Sequence, residues 1–337
     1  MSSVARVCHI HHDPLATALV PCYALRAAGH HPERLIVTLL QRAYQGQSDW
    51  QAIAALIQSD DQFYHRVDYS WRLCSTSLED PRNAAIWEDE QGKMQVFAAL
   101  QFPWLTLDYV IRSTIRTWEL EKQIINWAET RLHQIAAETN DDFPFNVSAL
   151  ADEQERISLL EALGYASWEH TLVKMKRSLD DSLAPKIPDG FIIRPLDGEQ
   201  EVEAYAELHR TAFDSNTMTA LWRGHTLHTP LYNPELDLVA VAPDGRLAGF
   251  CIWWYAPHLK AAQIEPLGVH PDFQHLGLSQ ALMAEGFRRV AALGAETAQV
   301  ETYSFSEPAL ASYAAAGFEV VNHELKFTKS IDPKRQG

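Results

Sequence analysis

The stretch from Ala262 to Leu293 reads AQIEPLGVHPDFQHLGLSQALMAEGFRRVAAL. Its short apolar run, Ile264 to Val269, predicts a β-strand, and the helical period that follows predicts a long helix ending near Leu293. A glycine-bearing turn, Gln274 to Ser279, joins the two. The first amides of a helix have no intrahelical partner, and the helix dipole favours negative charge there. The stretch therefore predicts an anion site, with a phosphate as the expected ligand.

Length and charge limit the class of protein. At 337 residues the chain is longer than one hydrophobic core usually grows, so two domains are expected. Apolar residues make up 47% and charged residues 21%, which is typical of a folded globular protein. The net charge of −16 repels a nucleic-acid backbone, so no nucleic-acid partner is expected, and it attracts cationic small molecules.

The cysteine pattern and hydropathy bear on location and metal binding. The four cysteines lie far apart without a C-x-x-C pair, so neither a disulfide framework nor a structural zinc site is expected. A reducing cytoplasmic location fits this usage. The longest apolar candidate is interrupted by Pro21 and Arg26, so no membrane span and no membrane partner are expected.

The first 33 residues are rich in cysteine and histidine. One reading is a metal-binding tract, and the other is a poorly ordered extension. The spacing of the potential ligands matches no known metal template, so the extension is favoured. These residues are Cys8, His9, His11, His12, Cys22, His30 and His31.

An internal repeat organises the rest of the chain. The order strand, helix, three strands, helix, strand, helix, strand is predicted from Leu35 to Lys176, and a similar order begins again at Phe191. A fixed offset of 153 residues relates Gly164-Tyr165 to Gly317-Phe318, His170 to His323, Leu172 to Leu325, and Val96–Leu100 to Gly249–Trp253. Several landmarks at one offset indicate two copies of one domain. The expected boundaries are an extension at 1–33, a domain at 34–178, a linker at 179–190, a domain at 191–330 and a tail at 331–337.

Three motifs of the second copy resemble those of GNAT-family acyl-CoA N-acyltransferases. They are Leu267-Gly-Val-His-Pro271, Gln274-x-x-Gly277-x-Ser279, and Ala309-x-x-x-Tyr313-x-x-x-Gly317-Phe318. Ser279 departs from the family's glycine or alanine at that place. The resemblance implies an α/β fold of two tandem GNAT-like domains, each a mostly antiparallel twisted sheet flanked by helices.

The resemblance also implies a binding site for acetyl-CoA as co-substrate, with no metal. The backbone of the loop would hold the pyrophosphate, Leu267 and Val269 would pair with the pantetheine arm, and Ser306 occupies a slot where the family often has asparagine. The loop residues are Gln274, His275, Leu276, Gly277, Leu278 and Ser279.

Two side chains are the expected catalytic groups. Glu265 stands in an apolar run just before Pro266, where a strand ladder is expected to break. A carboxylate there would accept the proton of the amine, and the alternative is a strand-end glutamate in solvent or in an ion pair. Tyr313 matches the position from which family members protonate the departing thiolate, and the alternative is an aromatic packed against the sheet.

Aromatic and histidine residues are the expected walls of the acceptor pocket. They lie at the end of one strand and in the segment after the first helix of the second copy, and ordinary packing is the alternative role. The residues are Trp222, Tyr232, Trp253, Tyr255 and His258.

The first copy lacks the corresponding features. Its turn from Arg112 to Trp118 contains no glycine, so its backbone cannot approach a phosphate closely. Leu160 stands where the second copy has Tyr313. We therefore expect a degenerate copy that binds no CoA.

These features predict an N-acetyltransferase that transfers acetyl from acetyl-CoA to a primary amine of a small molecule or peptide in a ternary complex. The alternative is a non-catalytic acyl-CoA-binding or protein-interaction module. Transfer to a hydroxyl, or from a longer acyl donor, is a third reading. A monomer or a homodimer is expected.

Overall fold

The computed structural model describes residues 19–26, 33–59, 67–180 and 186–333, with side chains from residue 38 onward. Thirteen strands and eight α-helices lie in these ranges. The strands are β1 (Leu19–Arg26), β2 (Glu33–Ala43), β3 (Ala84–Glu88), β4 (Met94–Gln101), β5 (Thr106–Ile111), β6 (Phe143–Leu150), β7 (Ala166–Ser178), β8 (Ile192–Pro195), β9 (Asp237–Val241), β10 (Leu247–Ala256), β11 (Ala261–Val269), β12 (Thr297–Tyr303) and β13 (Glu319–Ile331). The helices are α1 (Trp50–Ser59), α2 (Tyr69–Leu73), α3 (Trp118–Thr139), α4 (Gln154–Ala162), α5 (Val202–Phe213), α6 (Ala220–His228), α7 (Leu278–Ala292) and α8 (Glu307–Ala315).

All thirteen strands form one sheet, in the order β1-β2-β3-β4-β5-β6-β13-β7-β12-β11-β10-β9-β8. Neighbouring strands are antiparallel except β5 with β6 and β11 with β12, which are parallel. The two copies exchange their last strands. β13 from the second copy pairs with β6, while β7 from the first copy pairs with β12, so backbone hydrogen bonds run through the centre of the sheet from one copy to the other.

The repeat is visible in the bounds of the elements. Adding 153 to the residue numbers of β3 (84–88), α4 (154–162) and β7 (166–178) gives 237–241, 307–315 and 319–331, the bounds of β9, α8 and β13. The predicted mixed α/β fold of two similar copies with mostly antiparallel strands is confirmed.

One strand is absent from the prediction. β1 pairs antiparallel with β2 at the edge of the sheet, within the segment expected to be a poorly ordered extension. Its apolar run contains Pro21, and proline is tolerated on an edge strand because one side of that strand needs no ladder. Of the potential metal ligands in this segment, Cys8, His9, His11, His12, His30 and His31 lie outside the described residues, as does the side chain of Cys22.

Each face of the second copy's sheet carries helices. On one face, α7 and α8 cover Cys251 and Trp253 of β10. On the other face, α5 and α6 cover Phe250, Ile252 and Trp254. Val67 and Trp71, which belong to the first copy, pack into this second cluster. Side chains of the first copy therefore contribute to the hydrophobic core of the second.

None of the described helices is both long enough and apolar enough to cross a membrane.

Candidate active site

The site lies where two parallel strands separate. β11 and β12 are paired only from Ala261↔Thr297 to Gln263↔Gln299. Beyond Gln263, β12 continues beside β7 as far as Tyr303↔Leu172, and β11 continues beside β10 as far as Val269↔Gly249. A gap therefore opens in the sheet immediately after Gln263.

Glu265 lies at the start of this gap. The Glu265–Pro266 peptide bond is cis, and the indole Nε1–H of Trp254 donates to the backbone carbonyl of Glu265 over 2.7 Å. Ile264 and Leu267 both face α7, and the register of β11 against β10 shifts between them. The charge of Glu265 acts on Arg72, whose neighbour Trp71 packs on the opposite face of the sheet, and we therefore assign the carboxyl to that face. Burial raises the pKa of the Glu265 carboxyl to about 7, the positive charge of Arg72 opposes this shift, and the negative charge of Glu301 adds to it.

Tyr313 approaches the gap from α8. Its side chain is buried, and its ring lies 5.9 Å from that of Phe318. Burial raises the pKa of the phenol well above its ordinary value, and the negative charge of Glu265 raises it further. Tyr313 therefore keeps its proton at neutral pH and lies within electrostatic reach of Glu265.

The loop before α7 presents unpaired amides. Gly277 is the N-cap residue of α7 at φ +84°, and His275 also has a positive φ of +63°. A Cβ added to Gly277 would meet no atom within 4 Å, so the backbone faces open space. Among the described residues, no backbone N–H from 275 to 280 donates to a protein acceptor. Open amides at a helix N-terminus fit a phosphate group, and so the loop fits the diphosphate of a nucleotide cofactor such as CoA.

Side chains join the loop to α8. Gln280 donates from Nε2 to the carbonyl of Ser312 over 2.7 Å, and the Oγ atoms of Ser279 and Ser312 lie 3.4 Å apart. Ser306 is the N-cap residue of α8 and makes no side-chain capping hydrogen bond. The helix that carries Tyr313 is thus tied directly to the loop.

Two of the predicted acceptor residues face away from Glu265. Trp253 lies in the core on the α7 face, with its ring 5.2 Å from Phe287. Tyr255 is on the same face and donates its hydroxyl to the carbonyl of Leu293 over 2.9 Å. His258 is exposed in the turn after β10. We do not include these three residues in the acceptor site proposed below.

Trp222 and Tyr232 lie on the Glu265 face. Trp222 is fully buried, and its ring lies 5.3 Å from Trp71 of the first copy, at 36° to it. Tyr232 donates its hydroxyl to Asp237 over 2.6 Å. Both side chains hold α6 and the segment after it in place.

The first copy supplies side chains that sequence reasoning missed. Arg72 of α2 forms an ion pair with Asp108 of β5 over 3.1 Å, and its guanidinium lies 4.6 Å from the ring centre of Trp104. Its charge also reaches Glu265 in the other copy. No local pattern marks Arg72 as part of the site, because only the packing of the two copies brings it there.

The strands at the centre of the sheet, β7, β12 and β13, carry charged side chains on the face where Arg72 lies. Lys174 of β7 is directly opposite Glu301 of β12, and the two form an ion pair. Lys326 of β13 donates to the hydroxyl of Tyr303 over 2.8 Å. In the part of the chain that the structure describes, no group of three or more histidine, cysteine, aspartate or glutamate side chains is arranged to hold a metal ion.

The corresponding helix of the first copy is closed to anions. Thr117 is the N-cap of α3, and its side chain accepts from the amide of Leu120 over 3.2 Å. Glu121 in the first turn is paired with Arg116 and accepts from the hydroxyl of Tyr109. Arg156 is also paired with Glu121. The chain's own hydroxyl and carboxylate thus occupy the positive end of α3, where the α7 loop has open amides.

Residues 201–318 match the family described as the acetyltransferase (GNAT) family. The mycothiol acetyltransferase of Thermomonospora curvata is 29% identical over 181 residues, which cover 52% of this chain and 60% of that protein. The mycothiol acetyltransferase of Segniliparus rotundus is 29% identical over 171 residues, which cover 47% of this chain and 64% of that protein. The chain thus spans about three fifths of the length of these relatives.

Two solved structures share the fold over nearly the whole chain. A GCN5-related N-acetyltransferase from Sphaerobacter thermophilus has a TM-score of 0.59 at 22% identity and covers 89% of this chain and 98% of its own. A tandem GNAT protein from the clavulanic acid biosynthesis pathway has a TM-score of 0.61 at 14% identity, and the match covers 88% of this chain and 100% of that one. The tandem fold of these structures therefore extends over both copies, and residues 201–318 are the part of the chain that matches the GNAT family.

Proposed function

We propose that this protein is an acetyl-CoA-dependent N-acetyltransferase that acts on a primary amine of a small molecule or peptide. One observation carries the proposal: the unpaired amides before α7 and the buried carboxylate of Glu265 lie at the two ends of one strand–loop segment, beside the gap between β11 and β12. The first feature fits a phosphate-bearing acyl donor, and the second fits a base for an amine.

Five groups of the chain have roles in the proposed reaction. The amides from His275 to Ser279 bind the pyrophosphate, and the open edge of β11 at Leu267 and Val269 pairs with the pantetheine arm. Glu265 accepts a proton from the amine as the amine nitrogen attacks the thioester carbon. A backbone N–H near Leu267 stabilises the oxyanion that forms on the thioester carbonyl. The carbon–sulfur bond then breaks, and Tyr313 donates a proton to the sulfur.

The protonation states of the two catalytic groups support these roles. With a pKa of about 7, a substantial fraction of Glu265 is ionised at neutral pH and the carboxylate is basic enough to compete for an amine proton. With its pKa raised above the ordinary value, Tyr313 is a phenol rather than a phenolate. One group is thus ready to accept a proton and the other to donate one.

The test is an acceptor panel with acetyl-CoA in which thiol release and product mass are followed. Because the curated relatives are named mycothiol acetyltransferases, the unacetylated form of mycothiol belongs in the panel with other primary amines. Tyr313→Phe is expected to lower kcat by about 10²-fold while the Kd for acetyl-CoA stays within about twofold of the unsubstituted protein. Acetylated amine from at least one acceptor supports the proposal.

A non-catalytic acyl-CoA-binding module is the alternative. It predicts that acetyl-CoA binds but that no acceptor releases thiol above the rate of the Glu265→Gln variant. Failure of acetyl-CoA to bind at all would contradict both functions. The product masses also separate N-acetylation from transfer to a hydroxyl or from a longer acyl donor.

A further inference from the structure

Asp68, a carboxylate of the first copy, is buried without a partner for one of its oxygens. Its side chain is 3% exposed, and within the described residues Oδ1 makes no hydrogen bond. Burying a charged group is costly unless it is paired, so a buried carboxylate without a partner is either protonated or suited to bind a cation. Within the described residues, packing therefore supplies no partner for this oxygen of Asp68.

The position of Asp68 is set by the residues on either side of it. Its backbone carbonyl accepts from the amide of Trp71 over 2.9 Å, which forms the turn that begins α2. Val67 and Trp71 pack in the same apolar cluster as Trp254. The indole of Trp254 in turn donates to the carbonyl of Glu265. Packing thus places Asp68 beside the apolar cluster that contains Trp254, and its charge interacts with that of Glu265.

The cations near Asp68 already have other partners. Charges reach Asp68 from Arg72 on its own helix, from Glu265 of β11, from Glu301 of β12 and from Lys174 of β7. Arg72 is paired with Asp108, and Lys174 is paired with Glu301. Burial and the two glutamates raise the pKa of the Asp68 carboxyl, against the effect of Arg72 and Lys174. An added positive charge at this place would relieve the repulsion between Asp68, Glu265 and Glu301.

We propose that Asp68 binds the ammonium group of the acceptor, so that the acceptor site is built from both copies and selects a cationic primary amine. This inference rests on the proposed function and names the residue that recognises its substrate. Bound between Asp68 and Glu265, the ammonium gives one proton to Glu265, and its nitrogen attacks the thioester carbon. After the carbon–nitrogen bond forms, the nitrogen loses its second proton and the carbon–sulfur bond breaks. Tyr313 gives its proton to the sulfur and is restored by this second proton, and the proton on Glu265 is released to solvent.

The direct test compares the binding of a cation with that of its neutral analogue. The probes are phenethylamine and 2-phenylethanol, titrated into the full chain at pH 7.5 by calorimetry with saturating CoA. The unsubstituted protein is expected to prefer the amine, and Asp68→Asn is expected to reduce this preference about 10-fold or more, because a hydrogen bond to a charged group is lost. Asp141→Asn removes the same charge from an exposed residue of the same copy and is expected to keep the preference.

Folding and function are controlled separately. Asp68→Asn and the smaller Asp68→Ser are expected to keep the Kd for acetyl-CoA, because Asp68 belongs to the first copy and the α7 loop belongs to the second. Asp68→Glu is expected to keep the preference for the amine. The inference is overturned if the unsubstituted protein shows no preference for the amine, or if a neutral variant that binds acetyl-CoA normally retains the preference. Loss of acetyl-CoA binding by the unsubstituted protein would instead contradict the proposed function.

Discussion

Trp254 donates its indole N–H to the backbone carbonyl of Glu265 over 2.7 Å, across the two strands β10 and β11. The fully buried indole thereby fixes the backbone of the proposed base at the point where β11 leaves β12. Trp254 belongs to the same apolar cluster as Trp71 and Trp222, so the position of Glu265 depends on packing between the two copies. The catalytic proposal therefore depends on contacts between the two copies.

The pH dependence of the rate tests the role of Glu265. A base must be ionised to accept a proton, so kcat/KM for the amine is expected to fall tenfold per pH unit below about 7, the pKa of this carboxyl in the folded protein. Glu265→Gln is expected to lower kcat by about 10²-fold or more and to abolish this limb of the profile. Initial rates from pH 5.5 to 9 check the prediction, and an unchanged limb in the variant would contradict it.

The Glu265 carboxyl also makes the free energy of unfolding depend on pH. The sign of this dependence is opposite to that of a carboxylate in an ordinary salt bridge. Its pKa rises from 4.5 to about 7 on folding, so between these values the folded chain binds more protons than the unfolded chain. The free energy of unfolding therefore decreases as pH rises through this window. Glu265→Gln removes the effect, and its Tm is expected to exceed that of the unsubstituted protein by at least about 2 °C at pH 8. Near pH 4 the two melting curves are expected to coincide.

The open space at Gly277 is tested with a matched pair of alanine variants. Gly277 has φ +84° and Gly245, in the turn between β9 and β10, has φ +88°, and a Cβ at either position would meet no atom within 4 Å. Alanine in this left-handed conformation costs about 1–2 kcal/mol at both sites. Only Gly277→Ala is expected to weaken acetyl-CoA binding, by about 10-fold, because only its Cβ intrudes on the anion site. Equal Kd values for the two variants would argue against the loop as the phosphate site.

Strand exchange predicts how the chain behaves when it is divided. Expressed alone, residues 1–180 lack β13 beside β6, and residues 181–337 lack β7 beside β12. Each half then exposes long strand edges, which favours aggregation. We expect neither half to be a folded monomer and the co-expressed halves to purify as a complex, as measured by size-exclusion chromatography with light scattering. A monomeric second half that binds acetyl-CoA would contradict the importance of the exchanged strands.

The sequence predicts individual strands and helices well, but it does not predict which elements of the two copies lie next to each other. Alternation and the turn at Asp89–Gly92 predict strands at 84–88 and 94–101, and β3 and β4 lie at these bounds because both signals are local. The exchange of β7 and β13 has no local signal, since both strands are the last of their copy and carry similar patterns. For the same reason the sequence places Glu265 at the strand break but does not bring Asp68 to it. The different faces of Trp253 and Trp254 follow from strand alternation once the strand itself is known.

The number of acetyl-CoA molecules bound per chain tests the central claim most directly. We expect one site, at the amides before α7, and none at α3, whose N-terminus is occupied by Thr117 and Glu121. Isothermal titration calorimetry of the full chain is expected to give a stoichiometry of one, retained in Glu265→Gln and weakened in Gly277→Ala. Two sites per chain, or binding that is insensitive to Gly277→Ala, would contradict the account.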